Sequence, residues 1–380
     1  MKALLAAAVL LLGLASAAPA ASINAGDRPT SVDVPFDATT IASFNTPWAI
    51  AFLPDGRMLV TERPGRIFVV SGEGTRIPVG NVPKVLAEGQ NGLLDIAPSP
   101  GFGKNGQIYF TYVEPGEGGA LVLARAKLVV DGASGRLDDV EAIWRQTPRG
   151  GGGQPGGIIA FDPAGTHLFL TVGDRMRPDS AQAPDEARGK LLRLGLDGQT
   201  PPDNPDAAAG GVRGETWTTG HRNPYGLAFA PDGTLWLHEM GPRGGDELNL
   251  IEPGRNYGWP IVSNGDNYSG VPIPRHATRP EFAAPALYWT PVIAPAGLAF
   301  YEGDLFPKWR GSALIGGLAV QALVRVVFDG KGGADEAERF GMGARIRDVA
   351  VGPDGAVYVI EDANPGRLLR LTPKAGSAVH

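Results

Sequence analysis

Short runs in which apolar and other residues alternate follow one another along most of the chain, and they come in pairs. In residues 225–241, Leu227 and Phe229 precede a Pro-Asp-Gly turn, and Leu235 and Leu237 follow it. Alternation with a period of two on both sides of a short turn predicts a β-hairpin. Helical periodicity is scarce elsewhere in the sequence, so the pattern predicts an all-β fold.

This hairpin pattern occurs six times. Each copy has an apolar strand, a turn that contains glycine and a second apolar strand, and the copies cover residues 47–62, 91–113, 156–174, 225–241, 296–318 and 346–362. Apolar runs between the copies predict additional strands, at residues 66–70, 121–130, 190–196 and 323–328. A repeat of roughly 50–60 residues is typical of a four-stranded propeller blade with variable loops. A β-sandwich would show shorter and more regular strand spacing.

We therefore predict a six-bladed β-propeller of four-stranded antiparallel blades, with a single domain over residues 41–375. A propeller brings the same loop of every blade to its centre, so a ring of loops at one end is the expected position of a functional site. The composition is compatible with this fold. The 55 glycines and 34 prolines among 380 residues suit many tight turns, and 43% hydrophobic residues argue against disorder.

Charge and cysteine content exclude several classes of function. The chain has no cysteine, which rules out disulfides, thiolate metal sites and a cysteine nucleophile. The formal net charge is -6, and no block of Lys and Arg occurs. This balance argues against nucleic acid as a partner.

The N-terminus has the pattern of a secretory signal peptide. Lys2 provides a positive start, residues 4–14 are apolar, and small residues at 15–20 offer cleavage sites. We assign residues 1–21 to this signal peptide and expect export, most simply to the periplasm. The apolar run is shorter than the roughly 20 residues of a membrane-spanning helix, and no later stretch is long enough, so we expect no integral membrane segment. Residues 22–40 are predicted to be a loose, polar lead-in.

Polar residues cluster at the two ends of the hairpin at 225–241. The strings G-H-R-N-P-x-G-L, E-x-G-P, D-E-x-N and N-Y-G-W-P follow one another between residues 220 and 260. Any one of these residues alone is explained as a turn cap, but the series with this spacing resembles the glucose/sorbosone dehydrogenase-like β-propellers, quinoproteins that use pyrroloquinoline quinone (PQQ). Further landmarks of that family occur from residue 47 to residue 371. The resemblance implies a PQQ- and Ca²⁺-dependent enzyme that oxidises the anomeric carbon of an aldose, a small-molecule sugar, to a lactone.

The resemblance assigns cofactor-binding roles to Gln90, Arg222 and Asn223, and to Arg345 and Arg347 in the pattern R-x-R-D. These last two arginines, at positions i and i+2, point to one side of a strand with no acid between them on that face. Their guanidinium groups would repel each other unless an anion lay between them, and the carboxylates of the quinone suit planar guanidinium groups. The alternative interpretation of Arg345 and Arg347 is a solvated pair at the rim, and that of Gln90 is a solvated turn residue.

Metal ligands are also implied by the resemblance. The backbone carbonyls of Gly241 and Pro242 would hold the Ca²⁺ of the cofactor, while Glu247 and Tyr257 would help to hold a second, structural Ca²⁺. Asp266 lies in an oxygen-rich loop that would join the second site. Calcium prefers oxygen ligands, backbone carbonyls included. The alternative is that these segments are ordinary surface turns that bind no metal.

The predicted catalytic group consists of Gln154, Asp174 and Arg222. Gln154 occupies the position of the histidine that serves as general base in the family pattern H-x-G-G, and a carboxamide is not a proton acceptor near neutral pH. Asp174 matches the carboxylate that orients this histidine, and Arg222 would stabilise negative charge on the quinone as it is reduced. Pro155 favours extended backbone angles at Gln154.

The sequence leaves several alternatives open. Either His221 or His238 would have to face the cavity to replace the missing base, and a structural role is more common for such residues. Gly151, Gly153 and Gly156 fit G-x-G-x-x-G, but no strand precedes them and no helix follows, which argues against a nicotinamide cofactor.

A non-catalytic propeller that binds a sugar or another ligand in a degenerate site is the main alternative function. A Ca²⁺-dependent lactonase has no support beyond the fold and the metal loop. The sequence does not identify the electron acceptor.

Overall fold

The computed structural model describes residues 22–376, so the predicted signal peptide lies outside the described residues. The described chain contains 27 β-strands and only short helices, which confirms the all-β prediction. The helices are two single α-turns, α1 (Phe102–Asn105) and α2 (Gly211–Glu215), and four 3-10 turns at Pro178–Gln182, Ala207–Ala209, His276–Thr278 and Pro307–Trp309. Within residues 22–376, no helix has both the length and the hydropathy required to cross a membrane.

Antiparallel groups of four strands, which we call blades, follow one another along the chain. The first two strands are β1 (Ile23–Asn24) and β2 (Phe36–Phe44). Blade 1 consists of β3 (Pro47–Phe52), β4 (Met58–Glu62), β5 (Arg66–Val70) and β6 (Arg76–Gly80). Blade 2 consists of β7 (Leu93–Pro98), β8 (Gln107–Glu114), β9 (Ala120–Asp131) and β10 (Ser134–Arg145). Blade 3 consists of β11 (Gly156–Phe161), β12 (His167–Val172), β13 (Lys190–Gly195) and β14 (Thr216–Thr219).

Blade 4 differs from the others by an inserted strand pair, β17 (Arg243–Gly244) with β19 (Gly265–Asp266). Its four main strands are β15 (Pro224–Phe229), β16 (Leu235–Glu239), β18 (Asp246–Leu250) and β20 (Leu287–Trp289). Blade 5 consists of β21 (Pro295–Phe300), β22 (Ala313–Gly317), β23 (Ala322–Phe328) and β24 (Ala334–Gly341). Blade 6 consists of β25 (Ile346–Val351), β26 (Val357–Glu361), β27 (Gly366–Pro373) and, as its outer strand, β2.

The first strands of the blades form a closed ring around an axis. Each of β3, β7, β11, β15, β21 and β25 contacts the next, and β25 contacts β3. All six line an axial cavity of about 210 Å³. Each predicted hairpin is therefore the inner half of a blade. The additional strands predicted from the sequence are observed as β5, β9, β13 and β23.

The N-terminal segment is part of the fold, so the prediction of a loose lead-in over residues 22–40 was wrong. Strand β2 pairs with β27 from Phe36 to Phe44, and the predicted boundary at residue 41 would cut this strand. Ahead of it, β1 pairs in parallel with β20, and Arg339 donates to the carbonyl of Ala25 at 2.9 Å. Polar composition suggested a solvated segment, but its backbone groups supply an edge strand for the last blade and close the ring.

Hydrogen bonds from the second strand of one blade to the first strand of the next hold the inner ring together. In blades 1 to 3 a threonine hydroxyl makes this bond, and in blade 4 a histidine takes its place: Thr61 to the carbonyl of Leu94 (2.8 Å), Thr111 to Gly157 (2.6 Å), Thr171 to Pro224 (3.2 Å) and His238 to Gly297 (2.9 Å). The imidazole of His238 fits because residue 226 beside it is glycine, where a Cβ would lie 2.0 Å from Nε2.

Two buried aspartates add further bonds between neighbouring first strands. Asp95 accepts from the amide of Ile159 at 2.8 Å, and Asp348 accepts from the amide of Ile50 at 2.8 Å. Burial raises the pKa of Asp95 to about 7 and that of Asp348 to about 8, the charge of Asp95 adding to the shift at Asp348. Apolar clusters fill the space between blades further out. Between blades 5 and 6, for example, the rings of Phe306 and Trp309 stack 4.1 Å apart.

Candidate functional site

The predicted site residues lie at one end of the propeller. Because the first two strands of a blade are antiparallel, the start of the first strand and the end of the second lie at the same end, which we call the site end. Five of them lie one to three residues before a first strand: Gln90, Gln154, Arg222, Asn223 and Arg345. Asp174 and Gly241 follow second strands. The fold therefore brings together positions that are far apart in the sequence.

Gln154 bridges Asp174 and Arg222 through its side chain. The carboxamide is satisfied when its nitrogen faces Asp174 and its oxygen faces Arg222, the orientation that the hydrogen-bond network requires. The nitrogen then donates to Oδ1 of Asp174, and the oxygen accepts from Nη2 of Arg222 at 2.7 Å. The three predicted catalytic residues thus form one contiguous hydrogen-bonded group.

Asp174 is buried and accepts hydrogen bonds from two further donors. The indole nitrogen of Trp259 donates to Oδ2 at 2.9 Å, and the backbone amide of Met176 donates to Oδ1 at 2.9 Å. Burial raises the pKa of Asp174 to about 6, and these hydrogen bonds and the charge of Arg222 oppose the shift. The carboxyl group therefore titrates close to neutral pH, in the range useful for accepting a proton.

Arg222 is held on all sides. Nη1 donates to the carbonyls of Met240 at 2.9 Å and Gly241 at 2.8 Å, and Nη2 donates to the hydroxyl of Tyr268 at 3.3 Å. The guanidinium carbon lies 5.3 Å from the ring of Trp259 and 5.9 Å from the ring of Tyr268. Such contacts fix the orientation of a planar cation.

Gln90 belongs to the same group, because its Oε1 accepts from the backbone amide of Gln154 at 2.6 Å. Because Pro155 follows it, Gln154 was expected to have an extended backbone. Its φ is instead +47°, so this expectation was wrong. The left-handed conformation turns the side chain toward Asp174 and Arg222. A non-glycine residue with this φ is strained, and such strain is common at functional sites.

Arg175, which the sequence did not single out, organises the segment before Gln154. It is fully buried, and it donates to Oδ1 of Asn91 at 2.8 Å and to the carbonyls of Gly153 at 2.8 Å and Gly151 at 3.3 Å. A Cβ at position 151 would lie 2.4 Å from that of Arg175, so glycine is required there. The G-x-G-x-x-G string therefore serves to wrap the chain around an arginine, and the strand β11 rather than a helix follows it.

No carboxylate pairs with Arg175 within residues 22–376, and burial lowers its pKa to about 10. At the site end, this leaves a buried positive charge close to Gln154. Asn223 is also buried, and its Oδ1 makes no hydrogen bond to any described residue. An uncompensated cation and an unpaired acceptor in one region are features of a site that takes a polar, anionic ligand.

Arg345 and Arg347 do point to one side, but an acid of the chain itself lies between them. Nη2 of Arg345 and Nη2 of Arg347 approach the same oxygen of Asp362, at 2.9 and 3.0 Å. Burial raises the pKa of Asp362, but the charges and hydrogen bonds of both arginines outweigh it, so its pKa lies below the usual value. The argument that these arginines require an external anion was therefore wrong. Its error was to count acids only on strand β25, whereas Asp362 follows β26.

The two arginines also differ in exposure. The side chain of Arg345 is 46% exposed, whereas that of Arg347 is 13% exposed, reaches the axial cavity and lies 5.8 Å from the ring of Tyr225. Nε of Arg347 has no hydrogen-bond partner among the described residues. Arg347 is thus the member of the pair that faces the interior.

The predicted structural metal site contains a pair of buried carboxylates. Glu239 and Glu247 lie directly opposite each other on the neighbouring strands β16 and β18. Burial raises the pKa of Glu247 well above its usual value, and the charge of Glu239 raises it further. A cavity of about 10 Å³ adjoins both residues, enough for one water-sized species. Carboxylate oxygens are the kind of ligand that a hard cation such as Ca²⁺ prefers.

The other predicted ligands are placed differently. The carbonyl of Gly241 already accepts from Arg222, and a cation bound there would compete with the guanidinium group. Pro242 follows in the same turn. The carbonyl of Tyr257 adjoins Nε2 of His276 at 3.1 Å, near the carboxylate pair. Asp266 pairs with Arg275 at 2.7 Å. Among the described residues, no group of three or more His, Cys, Asp and Glu side chains is placed to hold a metal.

Asp246 and Glu247 do not act as a pair, because neighbours on a strand point to opposite sides. Asp246 accepts from the amides of Gly241, Ile293 and Ala294, at 2.9, 2.8 and 2.7 Å, and so fixes the turn at Gly241. Burial raises its pKa to about 7. Asp246 therefore positions the turn whose backbone carbonyls, those of Met240 and Gly241, accept hydrogen bonds from Arg222.

The histidines do not replace the missing base. His221 is fully buried between Thr218 and Glu239, at 2.8 Å from each. His238 is fully buried in its bond to blade 5, and burial lowers its pKa to about 4. Both have the structural role that was expected. His167 and His276 are likewise bonded to neighbours, so no histidine within residues 22–376 is free to act at the Gln154 group.

Several site residues were missed by sequence reasoning, and signals existed for some of them. Trp259 and Glu239 lie inside the motifs N-Y-G-W-P and E-x-G-P, but the motifs alone gave them no role. Asp362 directly follows the second strand of blade 6, and Asp174 lies two residues after the second strand of blade 3. An acid near the end of a second strand was therefore a signal in both blades. Nothing in the sequence signalled that Arg175 would be buried.

Comparison with known proteins supports the motif-based resemblance. A family model described as "Glucose / Sorbosone dehydrogenase" matches residues 44–370. The chain is 39% identical over 337 residues to the "Aldose sugar dehydrogenase YliI" of Escherichia coli strain K12, which covers 86% of this chain and 90% of that protein. A "Crystal structure of glucose dehydrogenase" superposes with a TM-score of 0.84 at 42% identity, covering 89% of this chain and 100% of the other. The PQQ-bound form of an aldose sugar dehydrogenase from Streptomyces coelicolor superposes with a TM-score of 0.72 at 28% identity, covering 91% and 100%.

Proposed function

The chain belongs to the glucose/sorbosone dehydrogenase family, and we propose that it is a periplasmic, PQQ- and Ca²⁺-dependent aldose dehydrogenase that produces a lactone. It is an oxidoreductase of the PQQ-dependent sugar dehydrogenase family with a propeller fold. The predicted signal peptide supports export, to the periplasm or to the exterior. The electron acceptor is left unassigned.

The observation that carries the proposal is the hydrogen-bonded group of Gln154, Asp174 and Arg222. These residues come from three different loops and meet at one end of the propeller, with Gln90 bonded to the backbone of Gln154. Convergent polar groups at the mouth of a rigid all-β scaffold are typical of a small-molecule site.

The charges at the site end suit an anionic cofactor. Arg175 is buried without a carboxylate partner within the described residues, and Arg222 and Arg347 lie in the same region. The unpaired Nε of Arg347 and Oδ1 of Asn223 add polar groups without partners in the described chain. When bound, PQQ supplies a two-electron acceptor for the hydride of the sugar's anomeric carbon. Arg175, Arg222, Asn223 and Arg347 are the residues that we assign to hold it.

We assign the proton acceptor to Asp174, because the position of the family's base is a glutamine. The pKa of Asp174 is raised to about 6 by burial, so the group is largely ionised at pH 7 and still basic enough to accept a proton. For this transfer the anomeric hydroxyl must replace the Gln154 amide on Oδ1 of Asp174. The proton neutralises the carboxylate, and Arg222 would balance the negative charge that the hydride adds to the quinone.

Calcium is assigned to the opposed carboxylates of Glu239 and Glu247. Two buried carboxylates at this position repel each other unless a proton or a cation lies between them, and the small cavity beside them leaves room for one ion. Calcium there would also touch the segment that bonds Arg222, since Met240 and Gly241 directly follow Glu239. The carbonyl of Gly241 is a weaker candidate ligand because Arg222 already donates to it.

Reconstitution tests the proposal. Purified protein is titrated with PQQ and Ca²⁺, and the reduction of an artificial dye is followed with a panel of aldoses. Turnover that requires the sugar and PQQ together, with lactone as the product, supports the proposal. PQQ binding without turnover on any aldose would favour a non-catalytic, ligand-binding propeller.

That second function is favoured by one specific observation. Gln154 bonds both Asp174 and Arg222 with its amide, so neither of these two groups is left unpaired and no base faces outward. In this case a sugar or another ligand would bind without oxidation. Calorimetry with the same aldoses, with and without the dye, separates the two functions, because only the catalytic protein would consume the sugar once the dye is present as electron acceptor.

A further inference from the structure

Two exposed apolar side chains flank the Asp174–Arg222 pair. Met176 and Tyr268 are 55% and 71% exposed, among eight large hydrophobic residues with substantial exposure in the described chain. Single exposed apolar residues are ordinary on protein surfaces. These two are distinguished by their contacts, because each is bonded directly to one member of the pair.

Tyr268 stands at the Arg222 side. It lies in the tight turn 267–271, closed by a bond from the amide of Asn267 to the carbonyl of Val271 at 3.0 Å. Its hydroxyl accepts from Arg222 at 3.3 Å, while most of its ring is open to solvent. The turn therefore presents an aromatic face that is anchored at one end by a hydrogen bond.

Met176 stands at the Asp174 side. Its amide donates to Oδ1 of Asp174, and a Cβ placed on Gly153 would lie 3.7 Å from its Cγ, so the side chain lies over the glycines that precede Gln154. Arg175 and Met176 are consecutive left-handed residues, with φ of +59° and +61°. This conformation sends Arg175 into the interior and Met176 outward. Two adjacent strained residues persist only where the surroundings fix them.

We propose that Met176 and Tyr268 are the two walls of the sugar-binding subsite and determine which sugars are bound; this inference rests on the proposed function of the site. An aldose ring has apolar C–H faces and a polar edge of hydroxyl groups. The Gln154, Asp174 and Arg222 group would receive the polar edge, and the aromatic ring and thioether would cover the apolar faces.

The chemistry of the two walls suits this ligand. Tyrosine supplies a large, rigid, amphipathic surface at low entropic cost, and methionine adapts its shape to the ring that it covers. A sugar in this position would bury apolar surface that is otherwise exposed to water, which is favourable. Hydroxyls of the sugar would compete for the same Arg222 donor that now bonds Tyr268, so binding and the position of Tyr268 are linked.

The experiment compares Tyr268→Ala and Met176→Gly with Val327→Ala, an exposed apolar residue on β23 that serves as the control. The KM for glucose is measured with reconstituted protein. The Kd for 1,5-anhydroglucitol, which has no anomeric hydroxyl, is measured by calorimetry. We expect both constants to rise about tenfold in each wall variant, with kcat less affected than KM, and neither constant to change in the control.

Conservative variants distinguish a residue that contacts the sugar from one that only supports the fold. Tyr268→Phe and Met176→Leu keep the apolar surface, and we expect their constants to stay within about threefold of wild type. If a truncated variant fails to fold, Tyr268→Ser and Met176→Ala replace it. Unchanged KM and Kd in folded wall variants would overturn the proposal. If the wild type binds the analogue but oxidises no sugar, the proposed catalysis fails while the subsite is still tested by the Kd values.

Discussion

The indole nitrogen of Trp259 donates to Oδ2 of Asp174 at 2.9 Å, and the carboxyl group depends on this bond to ionise in a buried site. A hydrogen bond to the charged form lowers a pKa, so its loss raises it. Asp174 accepts a proton only when ionised. Activity should therefore increase as the pH rises through about 6 in the wild type.

The first prediction follows from this bond. Trp259→Phe keeps an aromatic ring beside Arg222 but removes the N–H group. A hydrogen bond to a charged group contributes roughly 1.5–3 kcal/mol, which corresponds to about one to two pH units. We expect the rising limb of the pH profile of kcat/KM to move to higher pH by that amount. Trp217→Phe, in blade 3, is the control, and an unmoved limb in Trp259→Phe would show that Asp174 is not the base.

Gln154→His should increase dehydrogenase activity. A neutral imidazole can donate to Asp174 from one nitrogen and accept from Arg222 with the other, as the carboxamide does now. We expect a gain of at least about tenfold, within the usual range for a general base. The double variant Gln154→His, Asp174→Asn should lose the gain. No increase in a variant that still binds PQQ would mean that a missing base is not what limits the reaction.

Arg347 and Arg345 should contribute unequally to PQQ affinity. Arg347 is mostly buried and lines the axial cavity, whereas Arg345 is nearly half exposed and is screened by solvent. Fluorescence titration should show a loss of at least about tenfold for Arg347→Ala and of less than about threefold for Arg345→Ala. Equal losses would indicate that the two arginines act as a unit through Asp362.

Removal of calcium should lower the melting temperature. An ion that binds only the folded protein stabilises it by mass action, and its site is assigned to Glu239 and Glu247. Exhaustive chelation followed by re-addition of Ca²⁺ should lower and then restore the melting temperature. Glu247→Gln should melt at the same temperature with and without the ion. A wild type that is insensitive to chelation would instead place a shared proton between the two carboxylates.

Stability should also depend on pH through Asp348. The folded-state pKa of about 8 lies above the usual value of 3.8, so the folded protein binds a proton more tightly than the unfolded chain. The stability gained from this proton is present in full below pH 4 and is lost as the pH rises toward 8. The melting temperature of Asp348→Asn, taken relative to that of wild type, should therefore be higher at pH 8.5 than at pH 5. An equal difference at both values would contradict the shifted pKa.

The blade architecture could be predicted because every blade repeats one local pattern. Alternation such as that at Leu227 and Phe229 reports directly which residues face the neighbouring blades. The structural role of His238 was also within reach, since it occupies the position of Thr61, Thr111 and Thr171 in the equivalent strands. Edge pairing was not predictable from periodicity, because β2 has little apolar alternation and is ordered by β27.

The sequence predicted which residues form the site but not the hydrogen bonds and ion pairs between them. Gln154, Asp174 and Arg222 were named together from motifs, yet their bridging by one carboxamide depends on the left-handed backbone at Gln154. The pairing of Arg345 and Arg347 with Asp362 joins two strands, and a search confined to one strand cannot detect it. Contacts between loops of different blades are set by the three-dimensional ring, which local sequence does not encode.

The pairing of β2 with β27 has a consequence for the order of folding. These strands come from opposite ends of the described chain, so the ring cannot close until almost the whole polypeptide is available. Contacts of such long sequence separation form slowly, because the loop entropy must be overcome before they contribute. The residues assigned to the cofactor come from blades 3, 4 and 6, and the closed ring brings them together. Acquisition of the cofactor would then report completed assembly, and a chain shortened before β27 would keep most of its strands while losing the ability to bind it.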